Sequence, residues 1–436
     1  MLLYRIYSTL GTLLFLLSYP VVKLAAAIAP DLTGDLGKRF GIGFKCPSRQ
    51  NGYFRVWIHA ASVGEVRAAG ILIREIVSRE NRCEIFLSTM TSQGRSVAGR
   101  SLPRNVFRFP APLDAPCNVR RFLSAIKPDL YLCVETELWP AMFFELRRSR
   151  VPAFIVNGRL GPASFRRYLL VRGVMRRILE NIYGLAVISE ADGDRFIELG
   201  ADPDAVQVTG NVKYDFPAAD IASTRSAYRK LLGAEAETVL VCGSTRTGEE
   251  EQLLRLYEAL RKDRGEGVVW VLAPRHLERL DEVRRLLNGA GLEFDHYSDL
   301  RIRERRKPVV LVDTMGDLAD IYSAGDVNFV GGSLVPRRGH NIMEAARWER
   351  PVYYGPGIED FRDAAEALEE AGGGFRVADV QELATLALRH LRDRAEYERA
   401  CRGAAETVHR QRGAAARQAE MVLRQLSARE QPHVNG

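Results

Sequence analysis

Short apolar segments of strand length alternate with longer helical segments through most of this chain. The alternation begins near residue 53, runs to about residue 209, and begins again near residue 238. Strands that alternate with helices form a parallel sheet with crossover helices. A chain of 436 residues is also too long for a single hydrophobic core. The sequence therefore predicts an α/β protein with two Rossmann-like domains.

The boundary between the two patterns is a stretch rich in Ala and Asp that contains Pro217. We predict an N-terminal anchor, an α/β domain, a linker, a second α/β domain and a tail, with the bounds 1–30, 31–215, 216–225, 226–426 and 427–436. Two such domains facing across a cleft would turn the carboxyl ends of both sets of strands toward the gap. Ligands bind at that edge of open α/β sheets.

The first thirty residues are much more apolar than the rest. Leu10–Val22 is almost entirely apolar and contains Ser18 and Pro20. A cleaved signal peptide fits this composition, and so does a retained anchor of about 20 residues. Lys and Arg are more frequent after the apolar run than before it, which places the body of the protein in the cytoplasm. We favour a retained anchor that crosses the membrane once.

The net charge of +7 favours acidic partners, namely phosphorylated ligands, anionic lipid or nucleic acid. Nucleic acid is the weakest of the three, because the chain has no zinc spacing and no RNA-binding signature. The six cysteines are scattered and read as reduced core residues, which favours the cytosolic side. The chain also lacks a metal-ligand constellation, a nucleophile elbow and a Walker loop, so we expect neither a metal nor a cofactor.

A basic amphipathic stretch occupies residues 164–183. Its arginines lie among leucine, valine and isoleucine side chains, and they include Arg166, Arg167, Arg172 and Arg176. Two interpretations remain open here: a solvated helix face, or a surface that contacts lipid headgroups or phosphates.

The glycine-rich stretch after residue 330 predicts an anion site. An apolar strand, 326–330, is followed by Gly331, Gly332 and Ser333, and then by a helix predicted at 341–348. Glycines let the backbone approach a ligand, and the free N–H groups of a helix start face it. Many α/β proteins have such a turn for packing alone. Glu344, one turn into the helix, suits the paired hydroxyls of a sugar.

Two further loops in the second half carry residues suited to anions. Ser244, Thr245 and Arg246 lie between a strand and a helix that opens with three glutamates, and Arg275 and His276 follow the next strand. Acidic residues at a helix start suit the positive end of its dipole. We predict phosphate contacts from Arg275 and His276, against the alternative of a solvated loop histidine.

Carboxylates follow two strands of the first half. Glu65 forms a capping box with Ser62, and it is also placed to act as a general base. Glu135 and Glu137 come directly after an apolar strand, where one would pair with an arginine and the other orient a polar group. His59 reads as a core histidine.

Eight sequence blocks in this order resemble the 3-deoxy-D-manno-octulosonic acid (Kdo) transferases of lipopolysaccharide synthesis. The blocks are HAASVGE at 59–65, ETELWP at 135–140, NGRL at 157–160, GNVK at 210–213, GSTR at 243–246, PRH at 274–276, DTMG at 313–316, and GGSLVP at 331–336 followed by GHN at 339–341. The likeness extends from the N-terminal anchor to about residue 356.

The resemblance implies a two-domain glycosyltransferase-B fold, anchored by its N-terminal helix at the cytoplasmic face of the cell inner membrane. It implies an inverting transfer from CMP-Kdo to a lipid A precursor, with the acceptor in the first domain. Glu65 matches the family's catalytic base, and Glu137 its second candidate carboxylate. The donor-binding residues it implies are Ser244, Thr245, Arg246, Arg275, His276, Gly331, Gly332, Ser333, Gly339, His340, Asn341 and Glu344.

The chain departs from the family pattern at Arg337-Arg338, where the family usually has His-Gly. These departures bear on fine specificity more than on the reaction class, and two rival interpretations stand beside the resemblance. The first is a membrane-associated enzyme of the same architecture that uses a UDP-sugar. The second is a non-catalytic protein that binds a sugar nucleotide or a lipid. The sequence does not favour a dinucleotide oxidoreductase, because no Gly-x-Gly-x-x-Gly follows the first strand.

Overall fold

The computed structural model describes residues 2–28 and 30–430, which form two compact units. Unit 1 comprises the chain up to Asp215 together with the residues from Gly413 onward, and unit 2 runs from Phe216 to Arg412. Each unit contains one parallel sheet of seven strands with helices packed on it. The predicted α/β class is confirmed.

The sheet of unit 1 has the strand order β3-β2-β1-β4-β5-β6-β7, and every pairing in it is parallel. Its strands are β1 Phe54–His59, β2 Cys83–Thr89, β3 Phe107–Pro110, β4 Leu130–Val134, β5 Ala153–Gly158, β6 Ile182–Val187 and β7 Val206–Val208. The helices are α1 Leu2–Ile28, α2 Pro30–Arg39, α3 Val63–Arg79, α4 Ser92–Ser101, α5 Pro116–Ile126, α6 Pro140–Arg148, α7 Pro162–Leu169, α8 Arg172–Leu179 and α9 Glu190–Leu199.

The sheet of unit 2 has the order β10-β11-β9-β8-β12-β13-β14, again with parallel pairings. Its strands are β8 Thr238–Thr245, β9 Val268–Pro274, β10 Phe294–His296, β11 Val309–Leu311, β12 Val327–Val330, β13 Val352–Tyr354 and β14 Gly374–Arg376. The helices are α10 Ile221–Leu231, α11 Glu250–Arg264, α12 Leu280–Gly289, α13 Leu318–Ile321, α14 Met343–Ala346, α15 Arg362–Glu370, α16 Val380–Arg392 and α17 Arg394–Gln411.

The central strands of both sheets are fully buried. All five residues of β4 and all seven of β9 are buried, as expected for parallel strands covered on both faces. In each sheet the chain first adds strands on one side of a central strand, β1 or β8. It then crosses over and adds the later strands on the other side of that strand. Ligands bind at the carboxyl edge of the sheet beside such a reversal point. The loops that follow β1, β4, β8 and β12 lie at this edge.

The last helix belongs to unit 1, which corrects the predicted second domain at 226–426. Helix α18, Ala414–Glu430, packs on α3, β5 and β6. Asp215 caps it by accepting hydrogen bonds from the amides of Gly413 and Ala415, each at 2.8 Å. The buried Gln418 side chain accepts from the Asn157 amide at 2.9 Å and donates to Thr209 Oγ1 at 2.9 Å. These contacts join segments about 200 to 260 residues apart, so local sequence patterns do not reveal them.

The predicted linker at 216–225 is partly helical, because α10 begins at Ile221. Asp220 caps this helix through the amide of Ser223 at 3.0 Å. Helix α14 spans only Met343–Ala346, whereas a helix over 341–348 was predicted. The predicted tail at 427–436 is also partly helical, since α18 continues to Glu430; residues 431–436 lie outside the described residues.

Candidate active site

Three carboxylates and a lysine gather at the carboxyl edge of the sheet of unit 1. Glu65 lies in the first turn of α3, directly after β1, and Glu135 and Glu137 follow the neighbouring strand β4. Charge interactions couple Glu65 to both of the other glutamates. The Lys213 ammonium lies beside Gly64, 3.6 Å from the position of a Cβ atom there. The edge therefore combines carboxylates with a cation.

Glu65 makes the capping-box contacts that its spacing from Ser62 predicted. Its own amide donates to Ser62 Oγ at 3.3 Å, while its carboxylate accepts from Ser62 Oγ at 2.9 Å and from the Ala61 amide at 2.7 Å. A carboxylate offers about four lone-pair positions. Capping uses two of them, so the structural role and a role as proton acceptor are compatible.

The environment of Glu65 raises its pKa to about 7. Burial is the main cause, since only 7% of the residue is exposed, and the negative charge of Glu135 adds to it. Both effects disfavour the ionised form, whereas the hydrogen bonds from Ala61 and Ser62 favour it. A carboxyl group with a pKa near 7 exchanges its proton readily at neutral pH, which is the property of an efficient general base.

Glu135 is paired with Lys213, at 2.6 Å between Nζ and Oε1, where the sequence predicted an arginine partner. Its backbone has φ 61°, in the left-handed region that non-glycine residues rarely adopt. Such strain costs on the order of 1–3 kcal/mol and is concentrated at functional sites. Ser244, at the equivalent edge of unit 2, has φ 57°. Both residues lie at the carboxyl ends of strands, β4 and β8, whose loops carry predicted site residues.

Glu137 accepts a hydrogen bond from Trp139 Nε1 at 2.8 Å. Burial raises its pKa above the ordinary carboxylate value, although the Trp139 hydrogen bond opposes the shift. His59, by contrast, lies in the core with Nδ1 3.0 Å from Ser88 Oγ, and burial lowers its pKa to about 4. It is therefore neutral at physiological pH.

Replacing Glu135 by Gln removes a negative charge that raises the pKa of Glu65. We expect the pKa of Glu65 to fall from about 7 toward the ordinary carboxylate range. If Glu65 is the base, the acidic limb of the kcat/KM profile moves to lower pH by the same amount. Glu75→Gln, further along α3, is the matched control and should leave the profile unchanged. An unchanged profile for Glu135→Gln would show that another group controls this limb.

Arginines and histidines gather at the corresponding edge of unit 2. Arg246 donates from Nη1 to His276 Nε2 at 2.6 Å and from Nε to His340 Nε2 at 3.2 Å. Burial, and then the charges of Arg275 and Arg246, lower the pKa of His340 to about 4. Burial and the charges of Arg275 and Arg337 also lower the pKa of Arg246. Like charges held this close favour an anion between them.

The glycine-rich loop is held from within the protein by Glu249. The Glu249 carboxylate accepts from the amides of Gly332 at 2.6 Å, Ser333 at 3.0 Å and Leu334 at 2.9 Å. It also accepts from the Arg246 amide at 2.9 Å. These amides donate to Glu249, whereas the sequence predicted free N–H groups that face a ligand. Helix α14 has a single turn and so presents no long helix dipole there.

The remaining donor-site predictions fall into two groups. Thr245 and Ser333 point into the core, because Thr245 Oγ1 donates to Glu250 at 2.8 Å and Ser333 Oγ donates to the Val330 carbonyl at 2.6 Å. Ser244 is buried as well. Gly331, Gly332 and Gly339 provide close backbone contacts: a Cβ atom at Gly331 would lie 2.8 Å from Glu249 Oε2. These residues shape the loops, and their contact with a donor stays a prediction.

Arg246, Arg275, His276 and His340 present side chains at the edge, together with Asn341 and Glu344. Asn341 donates from Nδ2 to Glu344 Oε1 at 3.3 Å and accepts from the Met343 amide at 3.1 Å. The Glu344 carboxylate is thus oriented near the glycine-rich loop. Its contact with a ribose stays a prediction.

The basic stretch forms two short helices, α7 and α8, instead of one. Arg166, Arg167, Arg172 and Arg176 are all exposed, and Arg176 pairs with Glu180 at 3.0 Å. Leu170, between the two helices, is 84% exposed. The stretch therefore presents cations around an apolar side chain.

In the sequence Lys213 was placed within the GNVK block without a partner, and Glu249 was assigned only to the helix dipole. The partner of Lys213 lies 78 residues away, and the loop that Glu249 holds lies more than 80 residues away. Residue type and local spacing carry no signal for contacts at that range. Among residues 2–28 and 30–430, no group of three or more His, Cys, Asp or Glu side chains is arranged to hold a metal ion.

The fold is that of the glycosyltransferase-B class. UDP-GlcNAc 2-epimerase from Neisseria meningitidis matches 85% of this chain and 100% of its own, with a TM-score of 0.55 and 14% identity. Anabaena HepE in complex with UDP-glucose matches 86% of this chain and 100% of its own, with a TM-score of 0.51 and 17% identity. At these identities the likeness concerns the fold alone.

Sequence comparison identifies the family. A profile described as "3-Deoxy-D-manno-octulosonic-acid transferase (kdotransferase)" matches residues 34–216. The chain is 30% identical over 420 residues to the 3-deoxy-D-manno-octulosonic acid transferase of Haemophilus influenzae, covering 94% of this chain and 97% of that protein. The chain belongs to the 3-deoxy-D-manno-octulosonic acid transferase family, and it is a glycosyltransferase. The resemblance found in the sequence is confirmed.

A second relative is larger. The bifunctional glycosyltransferase/methyltransferase of Fusobacterium nucleatum is 33% identical over 334 residues, which cover 75% of this chain but only 51% of that protein. The chain therefore spans about half the length of this bifunctional relative.

Proposed function

We propose that this protein transfers Kdo from CMP-Kdo to a lipid A precursor with inversion at the anomeric carbon. The observation that carries the proposal is Glu65, a buried carboxylate with a pKa of about 7 at the carboxyl edge of the sheet of unit 1. It matches the position of the family's catalytic base. Family membership supports the sugar that is transferred.

In the proposed reaction Glu65 removes the proton from a sugar hydroxyl of the acceptor. The resulting oxygen forms a bond to the anomeric carbon of Kdo through an oxocarbenium-like transition state, and the bond from that carbon to the CMP phosphate breaks. The phosphate leaves with the electron pair, and Arg246 and Arg275 stabilise its charge. Glu137, oriented by Trp139, is the second candidate carboxylate.

The proposed acceptor is a lipid, which supports a location of the enzyme at the membrane. Helix α1 contains a stretch, Tyr4–Ala25, that is long and apolar enough to cross a bilayer by length and composition. We propose that it holds the protein at the cytoplasmic face of the cell inner membrane. The exposed arginines of α7 and α8 are suited to the phosphates of the lipid acceptor or of neighbouring headgroups.

The direct test is an assay with CMP-Kdo and a lipid A precursor, in which mass spectrometry counts the products. A mass increase of one or more Kdo residues is the expected result. Absence of transfer by a folded preparation that binds CMP would favour the non-catalytic interpretation.

Nucleotide specificity gives a second, independent result. CMP should raise the melting temperature by roughly 5 °C at about 100 times its Kd, because a ligand that binds only the folded state stabilises it by about 2.7 kcal/mol there. UDP at the same concentration should have little effect. Arg246→Ala should abolish the CMP shift, while Arg255→Ala, an exposed arginine on α11, should retain it. A larger increase in melting temperature with UDP would favour the UDP-sugar interpretation. The nucleotide would then be the one bound in the structural neighbour HepE.

A further inference from the structure

One face of helix α1 packs against the globular part of unit 1 along most of its length. Tyr4 stacks on Phe144 of α6, with ring centroids 3.7 Å apart. In the middle of the helix Phe15 stacks on Phe40, and nearer the other end Val22 packs against the same apolar cluster. These residues are 11 and 7 positions apart, close to three and two whole helical turns, so they lie on a single helical stripe.

Polar contacts hold the same stripe at two points. Tyr7 donates a hydrogen bond to the Asp114 carboxylate at 2.6 Å. Asp114 also caps α6 by accepting from the amides of Ala141 and Met142. Twelve residues further along α1, Tyr19 accepts a hydrogen bond from Arg121 at 2.8 Å. The charged partners belong to the globular part of the protein.

The length of the packed stripe conflicts with a helix that crosses the bilayer. From Tyr4 to Val22 an α-helix rises about 27 Å, close to the hydrocarbon thickness of about 30 Å. A spanning α1 would carry Asp114, Arg121 and parts of α5 and α6 into the hydrocarbon, where charged groups are strongly disfavoured. The helix crosses only if it leaves the protein surface that it packs on.

The opposite face of α1 is apolar and open. Leu14 and Leu17 are 70% and 73% exposed. They belong to a row of exposed apolar side chains: Leu10, Leu13, Leu14, Leu17, Val21 and Leu24. Arg5 and Lys23, near the two ends of the helix, are exposed as well. An apolar row with cations at its ends complements the interface of an anionic bilayer.

We infer that α1 lies in the plane of the membrane interface, with its leucine row inserted in an anionic bilayer and its tyrosine face on unit 1. This differs from the single crossing predicted from the sequence. Helix α8 packs on α6, the helix that Tyr4 touches, so the exposed arginines of α7 and α8 belong to the same part of unit 1 as α1. The inference rests on the proposed membrane location, and it places the acceptor unit directly at the lipid surface.

Topology of the full-length protein tests the inference without any measurement of sugar transfer. Protease-cleavable epitopes are placed before Met1 and after Gly436, and sealed inside-out inner-membrane vesicles are treated with an impermeant protease. A helix in the plane of the interface leaves both epitopes on the same side, so both are cleaved. A spanning helix protects the N-terminal epitope until detergent is added. That result would overturn the inference and leave the proposed reaction untouched.

A pair of substitutions tests the inserted face. Leu14→Glu combined with Leu17→Glu should reduce binding to phosphatidylglycerol-containing vesicles by roughly tenfold or more. The packed face is left intact, so the melting temperature of the protein should change little. Ile302→Glu, at an apolar residue of unit 2 that is 87% exposed, is the matched control and should bind like the unmodified protein. Undiminished binding by the double variant would contradict an inserted leucine row.

Discussion

Replacing Glu65 by Gln is expected to lower kcat by roughly two to four orders of magnitude, the contribution usual for a general base. The glutamine retains the shape of the side chain, and its carbonyl oxygen still accepts from the Ala61 amide. Folding and CMP binding should therefore persist. Steady-state kinetics and CMP titration measure the two effects separately. Transfer at the unmodified rate would reject Glu65 as the base.

The same variant has a second signature in stability. The pKa of Glu65 is about 7 in the folded protein against an ordinary value of 4.5, so the folded state binds the proton more tightly than the unfolded state. Stability from this group is present below about pH 4.5 and is lost as the pH rises through about 7. Glu65→Gln removes that loss. The free energy of unfolding of the variant is compared with that of the unmodified protein at pH 4.5 and at pH 8. Between these two pH values the difference should shift in favour of the variant by up to about 3 kcal/mol.

Denaturant unfolding at the two pH values measures this difference. Glu75→Gln on the same helix serves as the control, and it should show no comparable change between them. An active-site carboxylate that costs stability when ionised is consistent with a site kept for reactivity. A variant that loses stability at pH 8 would show that the capping contacts of Glu65 outweigh the cost of burying its charge.

Replacing Glu249 by Ala should have the largest effect on unit 2. Four backbone amides lose their acceptor, and a buried donor without a partner costs about 1–3 kcal/mol. We expect the free energy of unfolding to fall by about 3 kcal/mol or more, together with a severe loss of CMP affinity. The glycine-rich loop is then no longer tied to the start of α11.

Glu249→Gln separates positioning from folding. Glutamine has one acceptor oxygen where glutamate has two, so the amides on one side of the group face an NH2 group instead. This variant should fold, bind CMP more weakly and raise the KM of the donor more than it lowers kcat. Glu251→Ala, at an exposed position two residues further on, is the control and should bind CMP normally. CMP affinity unchanged in Glu249→Gln would show that the loop does not depend on this carboxylate.

Much of the fold could be predicted from local patterns, because each central strand is an apolar run of its own. Two strands were missed, β10 and β14. Both have three residues, and they form the two edges of the sheet of unit 2, where partial exposure removes the continuous apolar signal. Helix α2, Pro30–Arg39, precedes residue 53, near which the alternation of strands and helices was predicted to begin.

The candidate site was predicted less completely. Glu65 and Glu137 were predicted as site residues because they follow strands, and the structure places both at the carboxyl edge of the parallel sheet, where such residues meet. Thr245 and Ser333 were also predicted as site residues from their positions after strands, but their hydroxyls point into the core. A strand-end position does not specify the direction of a side chain, because that direction depends on partners supplied by other parts of the chain.

The sequence by itself determined the α/β class, the order of most strands along the chain, and the family, since these depend on runs and blocks of adjacent residues. Only the tertiary structure decided that α18 packs in unit 1, that Glu249 accepts hydrogen bonds from the glycine-rich loop, and that Lys213 pairs with Glu135. Each of these depends on contacts between residues some 80 to 260 positions apart. Such contacts arise from how the elements pack, and packing leaves no local pattern in the chain.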